Sequence, residues 1–140
     1  MKAGEYYLSR PVNPFVIAWR IFNGEHKIKM VKVTVPEGFS IKAISKLFGA
    51  EFPFFDNVLF EKTAPEGYLF PDTYFMPVTA TATSTTKIMR DNFVRKIFDL
   101  MPEVELSGKS LDDILTMASI IENEAKTKDD RMTVSAILWR

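Results

Sequence analysis

The chain has 140 residues, 46% of them hydrophobic, which is enough to bury a core as one domain or two small lobes. Lys plus Arg and Asp plus Glu both total 18, and this zero net charge argues against a general nucleic-acid binder, which would carry a basic excess. With no cysteine and His26 as the single histidine, disulfides, thiolate metal sites and multi-histidine metal sites are excluded and a histidine-based triad is disfavoured.

In chain order, Glu5 to Leu8 reads as a short aromatic strand. Asn13 followed by Pro14 predicts a capped helix start, for a helix over Phe15 to Phe22 that ends at Asn23-Gly24. Lys27 to Val35 alternates with period two, and its phase slips once near Met30-Val31. This predicts a half-buried strand, bulged there, with Lys27, Lys29 and Lys32 on its outer side. Pro36-Glu37-Gly38 is a turn, and Ser40 caps a helix that Gly49 ends. Glu51 to Lys62 is dense in phenylalanine and predicts a short helix after Pro53, with the rings serving as packing.

Ala64 to Pro77 reads as a structured loop leading into a strand, Thr73 to Met76. Thr79 to Thr86 is a polar lead-in, with one of Thr83 to Thr85 capping a helix over Thr86 to Met101 that Pro102 stops. Glu103 to Lys109 is expected as a loop. Ser110 caps the next helix, with Asp113 three residues on, and Asp129 or Asp130 caps the last. The fold class is therefore α+β, a strand–helix–strand–helix lobe followed by a mainly helical part. No signal peptide is visible, and no apolar run approaches the roughly 18 residues of a membrane span. The closing residues Ile137 to Arg140 stop inside a helical pattern, which reads as a piece of a longer protein.

The helix Ser110 to Ala125 carries the residue of most chemical interest. At about 100° per residue, Leu111, Ile114, Leu115, Ala118, Ile121 and Ala125 form one stripe, and Glu122 falls inside it between Leu115 and Ala118. Glu124 projects from nearly the opposite side. A glutamate half-buried among apolar side chains has its charged form disfavoured, so its pKa is expected to rise toward that of a proton donor. The alternative is a structural ion pair with an arginine such as Arg131. With one histidine and no cysteine, acid–base work falls mainly to carboxylates. Glu66 and Asp72 flank the aromatic loop, an arrangement suited to a sugar cleft and equally to plain turn chemistry.

Three stretches, taken together, resemble one family. Glu66 to Tyr74, EGYLFPDTY, is similar to the EG-x-L-x-PDTY signature of the YceG-like (MltG-type) endolytic peptidoglycan transglycosylases. Met117 to Glu124, MASIIENE, resembles their ASI[VI]E-x-E segment, and Val33 to Ser40, VTVPEGFS, their T-[IV]-PEG-[LF]-[ST] stretch. The resemblance implies a LysM-like lobe over residues 1–50 and the opening of a catalytic domain over 51–140. It implies Glu122 as the catalytic acid, with Glu66, Asp72, Tyr74 and Glu124 as substrate-binding positions and no cofactor. It also implies a bacterial inner-membrane protein facing the periplasm, anchored by a segment absent here, with glycan strands and cell-wall synthases as partners and no nucleic acid. Ser135 to Arg140 places Trp139 where the family has asparagine, and the family's later L-Q-x-D-P-T segment is absent. The alternative function is therefore a non-catalytic glycan-binding or scaffold module, and the fragment could self-associate to cover an open surface.

Overall fold

Short-range signals in the sequence, caps and alternation above all, set most of the element boundaries. The computed structural model describes residues 13–23, 29–125 and 127–139. The expected strand at Glu5 to Leu8, His26, and the Lys27-Ile28 start of the second strand lie outside them. The chain divides into two compact units, Met1–Arg90 and Asp91–Arg140.

In the first unit, α1 (Pro14–Asn23) starts where Asn13 and Pro14 predict, the Phe15 N–H donating to Asn13 Oδ1 at 2.9 Å. The strands β1 (Met30–Thr34) and β2 (Thr73–Pro77) pair antiparallel, residue for residue from Met30 opposite Pro77 to Thr34 opposite Thr73. No bulge interrupts this ladder, because both strands keep strict alternation through it. Val33, Tyr74 and Met76 are buried, while Met30, Lys32, Thr34 and Phe75 are exposed. Beyond it the Val35 N–H donates to the Asp72 carbonyl at 2.9 Å, and the Val78 N–H to that of Lys29 at 2.9 Å.

Ser40 caps α2 (Ile41–Glu51), as expected, but the helix runs through Gly49 instead of stopping there. The glycine serves a close approach. A Cβ at position 49 would sit 2.5 Å from Asn57 Oδ1 and 2.6 Å from its Nδ2. That amide donates to both the carbonyl and the hydroxyl of buried Ser45, each at 2.8 Å. The sequence boundary at residue 50 lies within this unit, between α2 and α3 (Asn57–Thr63), whose cap is Asp56. Phe48, Phe52, Phe55 and Phe60 fill the space around it, with ring centroids 5.1 to 5.8 Å apart.

The helix α4 (Ala82–Ile97) begins earlier than expected. Thr81 caps it, accepting from the Ser84 N–H at 3.3 Å while Ser84 Oγ accepts from the Thr81 N–H at 2.9 Å. Thr85 is fully buried and its hydroxyl donates to Met76 Sδ at 3.7 Å.

In the second unit, a 3-10 turn (Phe98–Leu100) leads into α5 (Met101–Ser107). Pro102 thus opens a helix where a stop was expected, since the first helical turn needs no N–H from it. Gly108, at φ 66°, closes α5 in the left-handed conformation. The helices α6 (Leu111–Glu124) and α7 (Lys128–Leu138) pack together. The fold is α+β, and among the described residues it is mainly helical with one two-stranded sheet.

Candidate functional site

The helix α6 begins on a strong local signal: Ser110 Oγ accepts from the Asp113 N–H at 3.1 Å and donates to Asp113 Oδ2 at 2.6 Å. Asp112 and Asp113 sit at its positive end. Its far end carries Glu122 and Glu124, where the helix dipole favours cations, so the helix by itself gives no reason for carboxylates there.

Glu122 is exposed, which corrects the half-buried setting expected from the stripe. Leu111, Ile114, Leu115, Met117 and Ile121 are half-buried, whereas Ala118, which flanks Glu122 on the stripe, is exposed. The stripe is real, but within this unit the covered face is centred to one side of Glu122. Arg131, the expected ion-pair partner, instead donates from Nε to the Ala125 carbonyl at 3.3 Å. Among the described residues the Glu122 carboxylate has no hydrogen-bonding or ion-pair partner. Glu124 is exposed as well, about 200° further around the helix.

The other expected positions lie in the first unit. Glu66 is exposed in the turn that Gly67, at φ 80°, completes. Asp72 is half-buried just ahead of β2, and its Oδ1 accepts from the Thr73 N–H at 2.7 Å. Tyr74 is only 5% exposed, and its hydroxyl donates to the Phe70 carbonyl. Period-two alternation turns it inward beside Met76, so in this unit it packs the core and ties down the loop before the strand. The ring left accessible on β2 is Phe75, 64% exposed, opposite Lys32 in the ladder. The alternation of Thr73 to Met76 was the signal that could have singled it out. The structure thus brings Asp72 and Tyr74 onto one loop-and-strand segment and Glu122 and Glu124 onto one helix end.

Among the described residues no group of three or more His, Asp or Glu side chains is arranged to hold a metal ion. Nor is any described helix long and apolar enough to cross a membrane. Glu122 and Glu124 both stand exposed near the end of α6, and of the two Glu122 is the one on the apolar stripe.

A sequence profile of the YceG-like family matches residues 1–140. No curated protein matches the chain. Among solved structures, the crystal structure of a yceG-like protein, lmo1499 of Listeria monocytogenes, superposes with a TM-score of 0.65 at 24% identity. The match covers 90% of this chain and 51% of that one, so the chain spans about half the length of the Listeria protein, and the likeness is one of fold.

Proposed function

The chain belongs to the YceG-like family, a bacterial cell-wall-related family, and from that premise we propose that it is part of an endolytic peptidoglycan transglycosylase with Glu122 as its single general acid and base. The observation that supports this reading is an exposed glutamate without a partner among the described residues, at the end of a well-capped helix, in a chain that matches the family from end to end.

In the proposed reaction, protonated Glu122 donates to the oxygen linking N-acetylmuramic acid to N-acetylglucosamine, and the anomeric C–O bond breaks. The muramyl 6-hydroxyl then attacks the anomeric carbon, and its proton passes to the Glu122 carboxylate. The products are a 1,6-anhydro-muramyl end and a free N-acetylglucosamine end, with no net water consumed and the enzyme reset. This differs from the usual pair of glycosidase carboxylates, in which the second supplies a nucleophile or activates water. A glycan lying across Leu115 and Ala118 would take water away from the carboxyl as it binds. Within the second unit, exposed Glu124 is proposed as a contact to the sugar; within the first, exposed Glu66 is proposed as a substrate-binding position in its own right, with Asp72 and Tyr74 shaping the loop ahead of β2. The proposed setting is the periplasmic face of the inner membrane, with glycan strands as substrate and cell-wall synthases as partners.

Digestion of purified glycan strands by the full-length protein and by its Glu122→Gln variant, with products identified by mass, tests the assignment. The variant should lose 1,6-anhydro products by about 100-fold or more with its circular dichroism unchanged. Retained activity would sink Glu122 as the acid. A second reading, a glycan-binding module without turnover, is favoured by Phe75 on β2, whose ring is 64% exposed and offers a face for a sugar to stack on. Strand capture by the full-length protein with no cleavage would establish it.

A further inference from the structure

A shallow, open groove of about 500 Å³ runs along α7 where it meets Ile121 of α6. Ile121, the residue before Glu122, forms part of its α6 wall. The rest comes from one stripe of α7, in which Lys128 and Arg131 stand a turn apart, Ser135 follows, and Met132, Ala136 and Trp139 supply apolar surface. Among the described residues, two cations and no acid line it. Asp130 is spent on the α7 cap, taking the Thr127 hydroxyl at 2.7 Å. The Arg131 Nε bond to Ala125 anchors the guanidinium and leaves its terminal nitrogens without a partner among the described residues. A third cation, Lys109, stands with Nζ 3.9 Å from the Trp139 ring centroid. The groove thus has apolar surface at Met132, Ala136 and Trp139, positive charge at Lys128 and Arg131, and an α6 wall at Ile121, next in sequence to the proposed acid.

We propose that this groove receives the carboxylate-bearing stem peptide that hangs from the muramyl sugar. The inference rests on the transglycosylase reading. If Glu122 protonates the oxygen leaving the muramyl anomeric carbon, the lactyl group and its peptide lie on that same sugar, a few ångströms from the acid. A short peptide of small side chains with free carboxylates matches Met132 and Ala136 on one hand and Lys128 and Arg131 on the other. Peptide-bearing strands are then preferred over bare glycan.

The test uses the 140-residue chain carrying Trp19→Phe, which leaves Trp139 as its one tryptophan. The probes are N-acetylglucosaminyl-N-acetylmuramyl tripeptide and the same disaccharide without peptide, titrated by Trp139 fluorescence and calorimetry. The tripeptide form should bind about tenfold tighter and alone shift the Trp139 emission. Lys128→Ala combined with Arg131→Ala should bring it to the affinity of the bare disaccharide, with unchanged circular dichroism. Equal affinities, no binding of either probe, or an unaffected double variant would overturn the proposal. So would a Trp139 shift that follows protein concentration alone, which would assign the groove to a second copy of the chain. The Glu122→Gln digestion fails independently. Lost anhydro products with equal probe affinities defeat only the peptide site, whereas retained turnover defeats the acid.

Discussion

At Gly49 two effects of opposite sign meet. A helix interior favours alanine over glycine by about 1 kcal/mol. Here, however, the added methyl would stand 2.5 Å from Asn57 and drive its amide off the two acceptors of Ser45, at about 1–3 kcal/mol for buried groups left unpaired. Gly49→Ala should therefore destabilise the chain by about 1–2 kcal/mol in urea unfolding. In an Asn57→Ala background the same change should become stabilising, and a loss of stability in both backgrounds would refute the close-approach account. Nothing in the local sequence separates such a glycine from a helix stop, because its reason lies eight residues away in the next helix. Glu122 shows the same divide. The 3.6-residue period located it on the stripe, which depends on α6 alone, but its exposure depends on how α7 covers the Ile121 side and not the Ala118 side.

The start of α6 is legible in the sequence because a hydroxyl and an acid stand three residues apart, at Ser110 and Asp113. The same reciprocal pattern opens α7, where Thr127 accepts from the Asp130 N–H at 3.1 Å and Asp130 answers at the cap, so the cap is Thr127 and not the aspartates expected. Thr127→Ala should cost about 1 kcal/mol and lower helical circular dichroism, while Asp129→Ala should leave both within error. The reverse order would return the cap to the aspartates. The start of α4 was missed because apolar periodicity marks only the turns that pack, and the first turn after Thr81 is polar except for Ala82. Pro102 misled for a related reason: proline ends one helix and begins another with equal ease, and a 3-10 turn between them left no signature.

Nearly all the fully buried side chains among the described residues belong to the first unit. In the second, Phe98, Leu106, Met132 and Ile137 are exposed, and α6 and α7 have no fully buried residue between Leu111 and Glu124 or between Lys128 and Leu138. Amide hydrogen exchange should accordingly find its slowest sites in β1, β2 and α2, with α5, α6 and α7 exchanging faster by about tenfold or more. Equal protection in α7 and β1 would contradict this distribution. The sheet of the first unit has one further consequence. Thr34 and Thr73, whose hydroxyls meet at 2.9 Å, are 39 positions apart, and α2 and α3 lie in the intervening chain. During synthesis, β1 leaves the ribosome with its valines ready, and β2, its partner among the described residues, follows only later. For that interval Val31, Val33 and Val35 form a bare edge prone to joining other chains, and the early formation of α2 is what can shelter it.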